Sequence, residues 1–156
     1  MPVQYIEQVR KIYADQPPYQ WSRYEESPWA VLPKPVSQSR IALLSSSGLY
    51  HQSQPPFNDV KNDLSWRELP KSVDIRDLRI SHYSKKAKAV TDVNTVFPIE
   101  RFRELEKEGV IGELASPAFT FMGRIFSRTQ LLKEMAPAIA SRLKSMAVDA
   151  AFLVPV

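Results

Sequence analysis

The chain has 156 residues, the size of one domain, and its 44% hydrophobic and 24% charged residues exclude disorder throughout. Its net charge of +4 comes from 21 basic and 17 acidic side chains without the dense basic stripe of a nucleic-acid binder. There is no cysteine, which excludes disulfides and thiol chemistry from the residues present and argues against a zinc site.

The first residues mix charged with apolar side chains and contain no apolar h-region, so they do not read as a signal peptide. No apolar run approaches the roughly 20 residues of a membrane-spanning helix. The expected location is cytoplasmic. Tyr5, Ile6, Val9, Ile12 and Tyr13 share a helical face and predict a short amphipathic helix over 3–14, stopped by Pro17 and Pro18. Tyr19, Trp21, Tyr24 and Trp29 follow among prolines. So many rings predict a segment that wraps the surface and is pinned by ring burial. Residues 1–39 therefore form an N-terminal helix and a Pro- and aromatic-rich wrapping segment, ahead of an α/β domain over 40–156.

RIALLS (40–45) is a short apolar run that fits a buried strand of a parallel sheet. Ser45, Ser46, Ser47 and Gly48 follow at once. A small polar loop in that place is either a simple turn or a ligand-binding loop, because open α/β sheets bind ligands at the carboxyl ends of strands. It matches no nucleotide-binding motif. Trp66 to Leu69 predicts a short edge strand, and alternation over 77–82 predicts another. Lys85, Lys86 and Lys88 read as a solvated loop.

Pro98 opens a predicted helix over 98–108, with Ile99, Phe102 and Leu105 on one face and Gly109 at the C-terminal cap position. A short extended piece over 110–115 and an aromatic-rich stretch over 118–126, broken at Gly123, come next. Ser127 and Gln130 have the spacing of a capping box. Leu131, Leu132, Met135, Ile139, Leu143 and Met146 predict one face of a helix over 128–146, kinked at Pro137. AAFLVPV (150–156) reads as a buried strand. The fold class is α/β, a mostly parallel sheet flanked by helices. The last strand lacks the crossover helix that a doubly covered sheet requires. That is expected either of a domain whose C-terminal part is missing or of a natural terminal strand.

SQPPF (53–57), LRISHY (78–83), DVNTVFPIERFRELEKEGVIGELA (92–115), FMG (121–123), LLKEMAPAIASRL (131–143) and VDAAFLVPV (148–156) stand in an order that resembles one family. It is the selenoprotein B component of glycine, sarcosine and betaine reductases, with which the D-proline reductase selenoprotein is grouped. The resemblance runs from about Arg40 to Val156. It implies that a selenocysteine or cysteine follows the strand ending at Val156, with a second cysteine near the start of a helix. Selenocysteine is encoded by UGA, so a truncated reading would stop before it. No catalytic residue is then expected within the chain.

The implied activity is reductive cleavage of a carbon–nitrogen bond in a small amine or amino acid. A pyruvoyl group on a partner subunit would hold the substrate, and a dithiol reductant and redox partner protein would supply electrons. No cofactor is expected in this chain. Substrate contacts are expected from Ser46, Ser47, Gly48, His82, Tyr83, Asp92 and Asn94. His82 reads first as a hydrogen-bonded structural histidine, and Asp92 and Asn94 read equally as loop braces. Ser84 and the lysines after it depart from the family pattern, where an acidic residue is usual, and point to a divergent member. The alternative is a non-catalytic small-molecule-binding or scaffold relative that kept the fold and lost the redox residue.

Overall fold

The computed structural model describes residues 5–12, 14, 25–26, 29–58, 61–82 and 91–156. They fall into two compact units, Met1–Val31 and Leu32–Val156. In the first unit, α1 spans Tyr5–Ile12 and carries Glu7 in its first turn and Arg10 and Lys11 in its last, charges that complement the helix dipole. Most of the wrapping segment lies outside the described residues. Trp29, which is described, is 87% exposed, so the expected ring burial is not seen there.

The second unit is built around β1 (Arg40–Ser45), a central strand buried along nearly its whole length. Ile41 pairs with both Leu114 and Ala150, and Leu44 with both Phe119 and Leu153. Because a strand has two edges, β5 (Glu113–Leu114) and β6 (Ala118–Phe121) share one edge of β1, and β7 (Ala150–Val154) takes the other. All three run parallel to β1. From Ile41 to Leu44 is three steps, whereas the partners Leu114 and Phe119 are five apart. The neighbouring chain therefore bulges between β5 and β6. β3 (Trp66–Leu69) pairs antiparallel with β6 and closes that side as the expected edge strand. β2 (Leu49–His51) and β4 (Leu78–Ile80) form a separate antiparallel ribbon.

Side chains alternate across β1, so each face owns half of them. Ile41 and Leu43 join Phe97, Ile99 and Phe102 in one core, under helix α2 (Ile99–Lys107). Ala42 and Leu44 join Phe119, Met135 and Ile139 in the other, under helix α3 (128–145). The mixed, mostly parallel sheet with helices on both faces is the α/β architecture expected. Among the described residues no helix is long and apolar enough to cross a membrane.

One expectation about α3 changes, and a feature at its proline is added. Ser127 makes no side-chain cap bond. Instead the side-chain carbonyl of Asn62 accepts the N–H groups of Phe126 (2.7 Å) and Ser127 (3.0 Å). A distant loop thus takes the Ser127 N–H, one of the two donors that a capping box satisfies. Pro137 is accommodated by a widened π turn over Leu131–Met135. A proline lacks an N–H and crowds the carbonyl four residues back, and a wide turn immediately before it relieves both. Leu132 is rotated to solvent, while Met135, Ile139 and Met146 hold the buried face.

The larger correction concerns β7. Its apolar composition predicted a buried strand, but Phe152 is 50% and Leu153 62% exposed. β1 covers only one of its edges, and no described strand pairs with the other. Phe152 leans on Phe102 of α2, with ring centroids 5.1 Å apart. Leu153, on the opposite face, has no ring contact of this kind among the described residues.

Candidate functional site

The carboxyl end of β1 is where four of the predicted residues, Ser46, Ser47, Gly48 and His82, come together. Buried serines and a threonine line it: Ser45, Ser47 and Thr120 are each at most 1% exposed, as is His82. Buried polar groups must find partners, and here they tie neighbouring segments together. The Ser45 hydroxyl donates to the carbonyl of Val96 at 2.6 Å, binding the strand tip to the segment that leads into α2. The Thr120 hydroxyl donates to the carbonyl of Leu49, binding β6 to β2.

The serine loop does not form an open anion cradle. Each of its backbone donors is already engaged. The Ser46 N–H donates to Val154 O (3.1 Å), the Ser47 N–H to Ser45 Oγ (3.2 Å) and the Gly48 N–H to Phe121 O (2.9 Å). Two hydroxyls remain. That of Ser47 is buried with no hydrogen-bond partner among the described residues, and that of Ser46 is partly exposed. The Ser46 Oγ accepts the Val156 N–H at 2.9 Å.

Gly48 has a structural reason to be glycine. Its φ is +66°, a conformation that L side chains rarely adopt, and an added Cβ would lie 2.2 Å from the carbonyl oxygen of Ser81. The Ser81 N–H donates to Gly48 O at 3.0 Å, so the serine loop and the segment carrying His82 are held backbone to backbone. Ser46, Ser47, Gly48 and His82 are therefore brought to one end of the sheet. Tyr83 lies outside the described residues, as do the lysines after it.

Asp92 and Asn94 are occupied with each other and with α2. Asp92 Oδ1 accepts the Asn94 N–H at 2.9 Å, capping a single 3₁₀ turn. The Asn94 side chain donates to Glu100 Oε2 (2.7 Å) and accepts the Glu100 N–H (3.2 Å). These bonds brace the loop whose Val96 carbonyl receives Ser45. Sequence reasoning placed Ser45 in this loop but missed Thr120 and Gly123 as parts of this end of the sheet. A hydroxyl one residue before the end of an aromatic-rich strand was the signal available for Thr120. Among the described residues no group of three His, Asp or Glu side chains could hold a metal ion.

Among the described residues, surface cavities also lie away from this end of the sheet. One of about 430 Å³ is lined by Ser72, Asp74, Arg76 and Arg103, among others, and none of the predicted site residues lines it. Its Asp74 carboxyl is held down to about 2 by the hydrogen-bonded guanidinium of Arg76.

The family model described as glycine/sarcosine/betaine reductase selenoprotein B matches residues 19–155. The chain belongs to that family. The match starts well before Arg40, so more of the Pro- and aromatic-rich segment is shared with the selenoprotein B proteins than the motifs alone suggested. A curated relative, the D-proline reductase subunit gamma of Acetoanaerobium sticklandii, is 32% identical over 126 residues, 80% of this chain and 52% of the relative. The chain thus spans about half the length of the curated relative it matches. No solved structure matches.

Proposed function

We propose that this chain supplies one wall of the active site of a selenoprotein B type reductase, an oxidoreductase subunit that reductively cleaves a C–N bond. Membership of the family supports this reading. So does one observation: the tip of β7 is delivered to the carboxyl end of β1, where Ser46 holds the Val156 N–H. In this reading a selenol or thiol follows Val156. Its anion attacks the carbon bearing nitrogen, so a C–Se or C–S bond forms as the C–N bond breaks and the amine leaves. A dithiol then supplies the two electrons that free the carbon product and restore the nucleophile. A pyruvoyl-bearing partner subunit would hold the substrate amine, and a redox partner protein would carry the dithiol. Such chemistry needs the nucleophile deprotonated, which favours a polar, hydrogen-bonding strand end over an apolar one. The residues present here contribute shape and hydrogen bonds, and residues 1–156 alone are expected to be inactive.

The engagement of every backbone donor in the serine loop favours the second reading, a scaffold relative without catalysis. Assay of the natural full-length protein with its partner subunit separates the two. Glycine, sarcosine, betaine and D-proline are offered with dithiothreitol, and loss of the C–N bond is followed by product mass. Turnover of any of them supports the reductase. Binding without turnover, from a protein whose gene places neither selenocysteine nor cysteine after Val156, would leave the scaffold reading.

A further inference from the structure

The parallel ladder between β1 and β7 ends at Ser45 and Val154, followed by one more bond from the Ser46 N–H to Val154 O. In a parallel ladder that continued, the next donor, the Val156 N–H, would meet the backbone carbonyl of Ser46. It meets the Ser46 hydroxyl instead, at 2.9 Å. The backbone of β1 has already turned away, with the Gly48 N–H bonded to Phe121 O on the opposite side. The serine side chain therefore extends the pairing one step beyond the point where the main chain abandons it.

Two further facts make this contact specific. Gly123 lies against the Ser46 side chain, where an added Cβ would sit 3.2 Å from Ser46 Cβ and 3.3 Å from its Oγ. Only a bare backbone leaves that rotamer undisturbed. The Ser46 hydroxyl also accepts one bond and donates none among the described residues, so its proton is available.

We infer that Ser46 is a positioning residue for the redox group following Val156, setting the direction in which the chain leaves β7 and offering its hydroxyl proton to that group. The inference rests on the reading of the preceding subsection. A hydroxyl donor beside a selenolate or thiolate stabilises the anion, and loss of a hydrogen bond to a charged group is worth enough to move an ionisation by about one unit.

The test uses the natural full-length protein with Ser46→Ala, and the isosteric pair Ser46→Thr and Ser46→Val, which differ only in the hydroxyl. The rate of iodoacetamide labelling of the peptide that follows Val156 is measured across pH by mass spectrometry, beside melting temperature. The expected result is a labelling profile displaced to higher pH in Ser46→Ala and Ser46→Val. Below the native midpoint both should then label roughly tenfold more slowly. Ser46→Thr should stay near the native profile. If Ser46→Ala fails to fold, the Thr and Val variants carry the comparison. Superimposable profiles for the hydroxyl-bearing and hydroxyl-free proteins would overturn the inference and leave the reductase reading standing. A native protein that takes up no label after Val156 would sink both.

Discussion

The two edges of β1 are paired by the same kind of parallel ladder, yet they end in opposite conditions. On one edge Ala118, Phe119 and Thr120 of β6 are fully buried, sealed by α3, by the second core and by β3 beyond. On the other edge β7 makes more ladder pairs with β1, five in all, but leaves Phe152 and Leu153 half or more exposed. The edge with the longer ladder is the more exposed one, so ladder pairing does not account for the difference. What differs is cover. A ladder fixes register and direction, and net stability comes from the layers laid over it, since each backbone bond largely replaces one to water.

The comparison breaks if the buried edge proves soft. Phe119→Ala should cost about 3–5 kcal/mol, because a large ring is removed from a fully buried position. Urea titration followed by tryptophan fluorescence measures it, and a loss below about 1 kcal/mol would contradict the assignment of the core. Gly48→Ala should cost about 2 kcal/mol, from positive φ and from the contact with Ser81 O, read in the same titration.

Glu106→Gln comes third, at about 1 kcal/mol. Its carboxylate takes both Lys71 Nζ (2.8 Å) and the Leu114 N–H (3.0 Å), and so links α2 to β5. Burial alone would raise the Glu106 carboxyl, but these bonds prevail and hold it below its ordinary value. A depressed carboxyl stabilises the fold fully above its unfolded pKa. That contribution falls away as pH drops below about 4.5 and is gone beneath the lowered folded value. Melting temperature followed from pH 7 to 3 should therefore decline, and decline less in Glu106→Gln. Leu153→Lys should be the mildest, within about 0.5 kcal/mol of the native protein, because its side chain is already in water. Its effect should appear in sedimentation velocity, as reduced self-association through an uncovered strand edge.

Much of the fold was legible where residue pattern and environment coincide. β1 announced itself by an apolar run, α2 by Ile99 and Phe102 at helical spacing with Gly109 after it, and β3 by its brevity. β7 was misread because apolar composition reports what a strand could bury, whereas its cover is supplied by other elements. The capping box at Ser127 failed for a related reason: Asn62 takes the Ser127 N–H from far along the chain. At the candidate site the Asx turn of Asp92 and Asn94 could be anticipated because its partners are two residues apart. The contact between Ser46 and Val156 spans 110 residues and leaves no local trace. Gly48 was noticed as a loop glycine, but its reason, the carbonyl of Ser81, exists only in three dimensions.

β1 is the hub on which every other strand of the main sheet depends, directly or through β6, and it is made early. The contact between Arg40 and Asp149 closes a separation of 109 residues. At roughly 5–20 residues per second of ribosomal synthesis, β1 would wait on the order of 5–20 s after translation before β7 could dock. Throughout that interval Ile41, Leu43 and Leu44 have no mate along one side, an apolar stretch that a nascent-chain chaperone would recognise. The central strand is therefore the segment of the sheet whose edge stays open longest during synthesis.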